Sequence, residues 1–492
     1  MNKKIVIIGA GTVGLFLANF LLEKKIKVIL IESGNEIPKS FNKSKHKSVG
    51  IEHVGIDIGR SNAIGGTSNL WGGQFSKFTK KDLKNKDIYN QPKWPITWSI
   101  LNKYVNKVYD HFNMNIHPNE FAQKLKGENN IEKFYTYWLS QPNFKSTYFN
   151  KISKNSLCTF YKNSEVYDLK FKKNKCTKIL FRNDNKNIVL DDFNDVVLAN
   201  GTLEISRLLL IIKQSPFSSN LNIGKYFQDH INFKVAEVKS PSKLFFDEFS
   251  NKVIKSVKLQ PKIRFNETNY ENKISVSGYF SFNSKIGNNL DNFKQFIKAV
   301  TGKNSVMTLK EIVLSFFKVL KSLPTIFPLI IRYIIDNKIY IPLNSKVFLN
   351  IQSQQISIKE SCIEISRENT DQLLLNWKVD GREIMDIKNF CNKIDNYLRK
   401  NDLGYLKYEK WFKEHDKNPQ NWIKYVTDIY HQSGGTIMGK SIKDSVVDKD
   451  CLVHGTKNLY VTGASVFPTS GYANTGLSSL ALTLKLSDHL CQ

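Results

Sequence analysis

The first 32 residues contain the pattern that most restricts the fold of this chain. Residues 4–8 (KIVII) and 26–31 (IKVILI) are continuous apolar runs, which are typical of buried strands in a parallel sheet. The segment between them has the composition of a helix, so the order is strand, turn, helix, strand. Gly9, Gly11 and Gly14 lie at the turn and in the start of that helix. This arrangement predicts a Rossmann-like α/β domain.

The GxGxxG spacing of these glycines indicates a ligand. The first glycine permits a tight turn, the second allows the backbone to approach a pyrophosphate, and the third allows the helix to pack closely on the strand. Thr12 lies at the helix N-terminus, where free N–H groups favour phosphate oxygens. Glu32 ends the second strand, where its carboxylate would accept hydrogen bonds from an adenosine ribose. The segment therefore predicts dinucleotide binding, but it does not distinguish FAD from NAD.

The charge of the chain raises the question of a nucleic-acid partner. The 492 residues carry a formal net charge of +28, and clustered basic residues attract phosphates. Only eight of the 72 basic residues are arginine, however, whereas phosphate and base recognition tend to use the bidentate guanidinium group. We therefore expect no nucleic-acid partner. The excess of lysine reflects either genome composition or a preference for acidic partners.

Cysteine usage and the chain start favour a cytoplasmic location. The six cysteines are scattered without CxxC spacing, so we predict neither a metal site nor a disulfide framework. The basic, apolar N-terminus runs directly into the first predicted strand without a cleavage site. Residues 305–335 are rich in Leu, Ile and Phe but contain five charges, which prevent them from spanning a bilayer. They are expected either to form core or lid helices or to lie on the inner face of the membrane.

Four further regions resemble, in the right order, the motifs of the glucose-methanol-choline (GMC) oxidoreductases, which are FAD-dependent. These regions are GGTSNLWGGQ (65–74), VVLANGTLEISRLLL (196–210), NIGKYFQDH (222–230) and a C-terminal region that contains HQSGGTIMG (431–439), NLYVTGAS (458–465) and YANTG (472–476). The chain is most similar to bacterial sugar-oxidising members. This resemblance implies a discontinuous FAD-binding domain interrupted by a substrate-binding domain.

The strand pattern shows the same interruption, because alternating strand-like segments outnumber helices between residues 241 and 429. We therefore predict an α/β fold in which a Rossmann-like FAD-binding domain carries an inserted α+β substrate-binding domain built on an antiparallel sheet. The predicted boundaries are 1–85, 155–240 and 430–492 for the FAD-binding domain, and 86–154 and 241–429 for the substrate-binding domain.

The resemblance also implies cofactor contacts beyond the N-terminal motif. The additional FAD-binding residues it implies are Gly65, Gly66, Asn69, Trp71, Gly463, Ala464 and Ser465. Many relatives carry an aspartate where this chain has Gly463, so we expect backbone groups to replace a side-chain contact there. Residues 62–74 contain no His, Cys or Tyr, and FAD is therefore predicted to be bound non-covalently.

The catalytic prediction rests on two C-terminal residues. Oxidation of an alcohol by hydride transfer to flavin N5 needs a base for the hydroxyl proton, and a histidine can accept it near neutral pH. The resemblance assigns this role to His431 and gives Asn474 the role of orienting the substrate. His230 and His454 lie in other motifs of the family and are alternative bases.

The sequence thus predicts an FAD-dependent oxidoreductase that oxidises a CH–OH group to a carbonyl, with a sugar or a sugar-derived alcohol as substrate. Two alternatives remain at this stage. One is an NAD-dependent dehydrogenase, and the other is a non-catalytic scaffold protein that keeps the FAD fold at a membrane. The electron acceptor is not identified by any motif.

Overall fold

The structure is a computed structural model that describes most of the chain. The described residues are 3–37, 46–83, 89–114, 123–184, 186–212, 214–254, 257–266, 272–283, 313–314, 316–317, 319–320, 341–414 and 421–492. Their labelled α-helices are α1 (Thr12–Glu23), α2 (Trp98–His111), α3 (Asn150–Ser153), α4 (Thr202–Ile211), α5 (Lys243–Phe249), α6 (Glu383–Lys400), α7 (Lys410–Glu414) and α8 (Thr475–Leu490).

The β-strands of the described residues belong to four sheets and are numbered in chain order. They are β1 (Lys4–Ile8), β2 (Lys27–Ile31), β3 (Lys47–Ser48), β4 (Gln74–Phe75), β5 (Gln123–Leu125), β6 (Glu128–Trp138), β7 (Cys158–Tyr161), β8 (Ser164–Lys172), β9 (Lys175–Asn183), β10 (Lys186–Leu190), β11 (Asp195–Leu198), β12 (Ile231–Lys239), β13 (Lys252–Ile254), β14 (Val257–Phe265), β15 (Val276–Asn283), β16 (Lys346–Ser353), β17 (Cys362–Ile365), β18 (Leu373–Asn376), β19 (Tyr405–Tyr408) and β20 (Leu459–Val461).

A five-stranded parallel sheet forms the centre of the first domain. Its strand order is β20-β11-β1-β2-β7, so strands from the two ends of the chain lie in one sheet. The apolar side chains of β1 and β2 are buried within the sheet and against α1 and α8, as expected for strands covered on both faces. The predicted Rossmann-like unit at the N-terminus is confirmed.

A nine-stranded antiparallel sheet forms the second domain. Its main order is β19-β12-β16-β15-β14-β6-β4, with β13 paired to β14 and β5 paired to β6. Along β14 the side chains alternate: Ile263 and Phe265 enter the apolar core of this domain, whereas Gln260 and Lys262 do not belong to it. The predicted α+β domain with an antiparallel sheet is confirmed as a fold class.

The domain boundaries stay a prediction, but two elements lie differently from their predicted assignment. Strand β12, predicted within the FAD-binding part, pairs with β16 and β19 inside the nine-stranded sheet because Phe233 and Val235 belong to that domain's core. Helix α2, predicted within the substrate-binding part, packs its apolar side on the core that contains α1 and α8, and Lys107 forms an ion pair with Asp488 of α8 at 2.8 Å.

Most of the segment 305–335 lies outside the described residues, so its predicted contact with a membrane stays a prediction, as does the cytoplasmic location. Within the part of the chain that the structure describes, no helix has both the length and the apolar character needed to cross a membrane.

Candidate active site

The two predicted catalytic residues lie in contact although 43 positions separate them. Asn474 is the residue immediately before α8, and its Nδ2 atom is 3.2 Å from Nε2 of His431. Asn474 Oδ1 is buried and has no hydrogen-bond partner among the described residues. The amide therefore contacts the imidazole with one end and leaves its acceptor end available to a ligand.

A second histidine fixes the tautomer of His431. His230 Nδ1 lies 2.8 Å from His431 Nδ1, and His230 Nε2 lies 3.3 Å from the carbonyl oxygen of Ser470. A carbonyl oxygen can only accept, so His230 carries its proton on Nε2, and its Nδ1 accepts a hydrogen bond from Nδ1–H of His431. In the neutral imidazole of His431 the Nε2 lone pair is then free of a proton, and it faces Asn474.

Burial keeps both imidazoles neutral at ordinary pH. Loss of hydration, together with the nearby positive charges of His230, when protonated, and of Lys262, lowers the pKa of His431 to about 3. Burial also lowers the pKa of His230 to about 4. The neutral state agrees with the hydrogen-bond direction, and it means that His431 offers a lone pair rather than a proton.

Asp229 holds the backbone of both histidines in place. Its Oδ1 atom accepts hydrogen bonds from the backbone N–H of His230 at 2.7 Å and of His431 at 3.1 Å. Its Oδ2 atom lies 3.2 Å from Nε2 of the buried His53. Burial alone would raise the pKa of Asp229, but the hydrogen bond and charge of His53 hold it below its usual value. Sequence reasoning missed this carboxylate, although it lies in the quoted QDH motif directly before His230.

His53, Asp229 and Asp428 each present one potential ligand atom, and these atoms lie within 4.8 Å of one another. The Asp428 carboxylate accepts hydrogen bonds from the backbone N–H groups of Val54 and Gly55, and the Asp229 carboxylate is used as described above. The group therefore acts as an internal support of the loop at residues 53–55. The prediction of no metal site stays a prediction.

The predicted cofactor-binding segments converge at the N-terminus of α1. The backbone N–H of Gly65 donates to Ala10 O at 2.8 Å, and a Cβ on Gly66 would lie 2.7 Å from Gly11 Cα. A Cβ on Gly14 would lie 1.9 Å from Gly9 O, so only glycine allows this approach of helix and strand. Gly463, with φ +103°, lies against Val13 of α1, and it precedes Ala464 and Ser465. Thr12 is the first residue of α1.

Glu32 is buried at the predicted ribose position. Its two carboxylate oxygens accept hydrogen bonds from the backbone N–H groups of Ala10 and Gly34, each at 2.7 Å. Burial raises its pKa, and these two hydrogen bonds oppose that effect. A carboxylate has further acceptor sites, so ribose hydroxyl groups can still bind while the carboxylate orders the glycine turn.

Asn69 and Trp71 organise the second glycine-rich loop. Asn69 donates to Ile64 O at 3.0 Å, and Trp71 Nε1–H donates to Pro142 O at 2.7 Å. The Trp71 ring lies against Gly476, where a Cβ would be 2.7 Å from the ring. Trp71 therefore connects this loop to the first turn of α8, two residues after Asn474. Direct contact of either residue with the flavin ring stays a prediction.

The residues present fit a bound dinucleotide. The convergent glycines leave backbone N–H groups near one helix N-terminus, which is the arrangement that binds a pyrophosphate. Ser465 Oγ, Asn200 Oδ1 and Thr436 Oγ1 are buried without a partner among the described residues. Asn200 lies beside Gly9, and Thr436 N–H donates to Ser465 O, so all three surround the same region. Such atoms are expected where a polar ligand completes the hydrogen bonding.

The alternative base His454 lies elsewhere. Its Nε2 atom is 2.9 Å from Ser445 Oγ, and its backbone N–H donates to Val446 O. Among the described residues it makes no hydrogen bond with His431, His230 or Asn474. His230, the other alternative, lies in the site as the partner of His431.

Fold and site together define a class: a dinucleotide-binding domain built on a parallel sheet, a second domain built on an antiparallel sheet, and a partly buried histidine–asparagine contact are the organisation of flavin-dependent alcohol oxidoreductases. Comparison with known proteins gives the family. The GMC oxidoreductase family model matches residues 358–483. A putative truncated GMC-type inactive oxidoreductase of Acanthamoeba polyphaga mimivirus is 35% identical over 71 residues, which are 14% of this chain and 82% of that protein. The chain belongs to the GMC oxidoreductase family.

Two further similarities extend this result. The fructose dehydrogenase large subunit of Gluconobacter japonicus is 41% identical over 64 residues, which are 13% of this chain and only 12% of that protein. The crystal structure of pyridoxine 4-oxidase from Mesorbium loti is similar with a TM-score of 0.60 and 15% identity, and the match covers 99% of each chain. The predicted protein class and the predicted cofactor, FAD, are confirmed, and the NAD-dependent alternative is removed. Non-covalent attachment of FAD stays a prediction.

Proposed function

We propose that this protein oxidises a CH–OH group of a small alcohol to a carbonyl, with His431 as the base and Asn474 as the residue that orients the substrate. The observation that carries this proposal is the unprotonated Nε2 of His431, which faces a buried amide with a free acceptor atom. A substrate hydroxyl beside these groups can donate its proton to Nε2 while Nδ2–H of the amide, in place of its contact with His431, donates to the same oxygen.

Oxidation of the alcohol requires one group that accepts a hydride and another that accepts a proton. The alcohol would lose one proton and one hydride, and a bound FAD would supply the acceptor for the hydride, which carries both electrons. His431 Nε2 accepts the proton and becomes an imidazolium. The negative charge of Asp229, which raises the pKa of His431 against the effect of burial, stabilises this protonated form.

The polar side chains on one face of the antiparallel sheet favour a substrate with several hydroxyl groups, such as a sugar or a sugar-derived alcohol. Gln74 Nε2 donates to Thr136 Oγ1 and to Gln260 Oε1, each at 2.6 Å, and Lys262 follows on the same side of β14. The amide and hydroxyl groups can exchange their mutual hydrogen bonds for bonds to substrate hydroxyl groups. Similarity to a fructose dehydrogenase subunit supports the same substrate class.

A second candidate function is a non-catalytic FAD-fold protein. It is favoured by the similarity to a relative described as an inactive oxidoreductase. The two candidates differ in one measurement, because an active protein has its bound flavin bleached under nitrogen by its alcohol. A panel of sugars, sugar acids and sugar phosphates should contain at least one reductant if the proposal is right.

The assignment of the base is tested with His431→Ala in the FAD-loaded protein. We expect FAD to remain bound, because the cofactor segments lie around α1, and flavin reduction to slow by about 100-fold or more. The matched control is His454→Ala, which removes another histidine and should reduce flavin within about threefold of the wild-type rate. A fast His431→Ala variant together with a slow His454→Ala variant would transfer the role of base to His454.

Asn474→Ala distinguishes orientation from proton transfer. We expect this variant to be slowed as well, but added imidazole should rescue it less than it rescues His431→Ala, because a soluble base replaces a lost proton acceptor and not a lost orientation. Equal rescue of both variants would contradict the division of roles. Loss of FAD from both would show that the two residues support the fold.

A further inference from the structure

Lys262 is a buried cation that faces the candidate site. It lies on β14, its side chain is on the polar face of the sheet, and only 4% of its surface is exposed. Its Nζ atom donates to Gln352 Oε1 at 2.8 Å, and Gln352 Nε2 donates to Tyr472 O at 3.0 Å. Tyr472 lies two residues before Asn474. The ammonium group is therefore held opposite the segment that carries the substrate-orienting amide.

Arg264, the neighbouring cation on the same strand, has a carboxylate partner, which Lys262 does not have. Arg264 Nε donates to Glu132 Oε1 at 2.7 Å, and its NH1 donates to Tyr472 Oη at 2.6 Å. Among the described residues, no carboxylate forms an ion pair with Lys262, and its recorded hydrogen-bond partner is a neutral amide. Two buried cations thus share one face of β14, but only Arg264 has an anionic partner.

A buried ammonium group without an anionic partner is energetically unfavourable, and this is seen in the pKa of Lys262. Burial lowers the pKa of Lys262 to about 7. Proteins retain buried charges mainly where they are paired or where a ligand pairs them. An ammonium group that is desolvated in advance binds an incoming anion more strongly than a hydrated surface lysine does, because it has little hydration left to lose.

The position of Lys262 near the two histidines indicates which molecule carries the anionic group that it binds. The positive charge of Lys262 is close enough to lower the pKa of both His230 and His431. A molecule that contacts His431 through its hydroxyl group can therefore reach Lys262 with another group. We propose that Lys262 binds an anionic group, a carboxylate or a phosphate, on the alcohol that this site oxidises. This inference rests on the function proposed above and narrows its substrate class.

The test uses three hexoses that differ at C6: D-glucose, D-glucuronate and D-glucose 6-phosphate. Dissociation constants are measured for the FAD-loaded protein under nitrogen, from the change that each sugar causes in the flavin absorption spectrum. We expect at least one of the two anionic sugars to bind about tenfold or more tightly than D-glucose, and Lys262→Met to remove this preference, so that the anionic sugar binds no more tightly than D-glucose. Comparison of the two anionic sugars identifies whether carboxylate or phosphate fits.

A matched control separates a local contact from the general positive charge. Lys234→Met removes one lysine from β12 of the same sheet, where Lys234 is half exposed and pairs with Glu409 at 3.0 Å. We expect this variant to keep the preference for the anionic sugar. Lys262→Gln serves as a second uncharged variant, and FAD content and thermal unfolding are measured for all three.

The outcomes of this test distinguish the two proposals. Equal binding of all three sugars by the wild type, or equal loss of preference in the Lys234 and Lys262 variants, would overturn the anion site. If D-glucose alone bleached the flavin and the anionic sugars bound no more tightly than D-glucose, the proposed oxidation would stand but the anion site would not. If an anionic sugar bound through Lys262 but no alcohol bleached the flavin, the anion site would stand and the proposed oxidation would fall.

Discussion

The hydrogen bond between the two histidines predicts the effect of changing His230. His230→Leu removes the acceptor of His431 Nδ1–H, which lies 2.8 Å from His230 Nδ1. His230→Asn keeps an acceptor, because the Oδ1 atom of asparagine lies close to the position of histidine Nδ1. His230 acts through His431 and is a positioning residue, so the two variants should behave differently.

The size of the effect follows from burial of the pair. A buried donor left without its acceptor costs about 1–3 kcal/mol. The lost partner also lets the His431 proton move to Nε2, which would block the atom that accepts the substrate proton. If the full cost appears in the barrier, flavin reduction slows by about 5- to 150-fold in His230→Leu. We expect His230→Asn to stay within about fivefold of wild type, since its acceptor preserves the tautomer.

The assay is stopped-flow flavin reduction under nitrogen with any alcohol that bleaches the wild-type flavin. FAD content and thermal unfolding of each variant are measured first, so that a loss of folded protein is not read as a loss of rate. Equal rates for wild type and His230→Leu would refute the tautomer argument. Equally slow Leu and Asn variants would show that the shape of the imidazole matters and its acceptor atom does not.

Two further predictions concern pH and the cofactor. The pKa values of His431 and His230 in the folded state, about 3 and about 4, lie below the value of about 6.5 of an exposed histidine, so their contribution to stability is complete above pH 6.5 and falls as pH decreases. Urea unfolding at pH 7 and at pH 5 should show His431→Asn losing about 2 kcal/mol less over this interval than wild type, or about 1 kcal/mol per pH unit on average, and identical slopes would contradict this. Acid precipitation should leave FAD in the supernatant as a yellow solution, whereas flavin in the pellet would contradict non-covalent binding.

The dinucleotide-binding unit could be predicted because its determinants are local. Gly9 and Gly14 are five residues apart, and their close approach, with a Cβ on Gly14 only 1.9 Å from Gly9 O, is a property of one turn. Continuous apolar strands and a helix between them need no distant partner to be recognised. The position of Glu32 at the end of β2 follows from the same short segment.

The network around the histidine pair could not be derived from local pattern. His53 lies 176 positions before Asp229, and a histidine without a neighbouring motif gives no signal of its partner. Resemblance to the family drew attention to His230 in the QDH motif, but it gave no role to Asp229. Lys262 was one of 64 lysines, and only the sheet register shows that its side chain is buried. The different position of β12 has the same origin, because strand pairing with β16 and β19 connects residues far apart in the chain.

The segment at residues 470–476 explains why the site needs both domains. Alternate residues of this segment contact different parts of the structure: Ser470 O lies 3.3 Å from His230 Nε2, Tyr472 O accepts from Gln352 on the antiparallel sheet, Asn474 contacts His431, and Gly476 lies under Trp71 of the second glycine-rich loop. One short segment therefore sets the tautomer of the histidine pair, supports the amide that holds Lys262, carries the asparagine proposed to orient the substrate, and contacts the loop predicted to bind the flavin. Displacement of this backbone would change the base, the substrate contacts and the cofactor loop together.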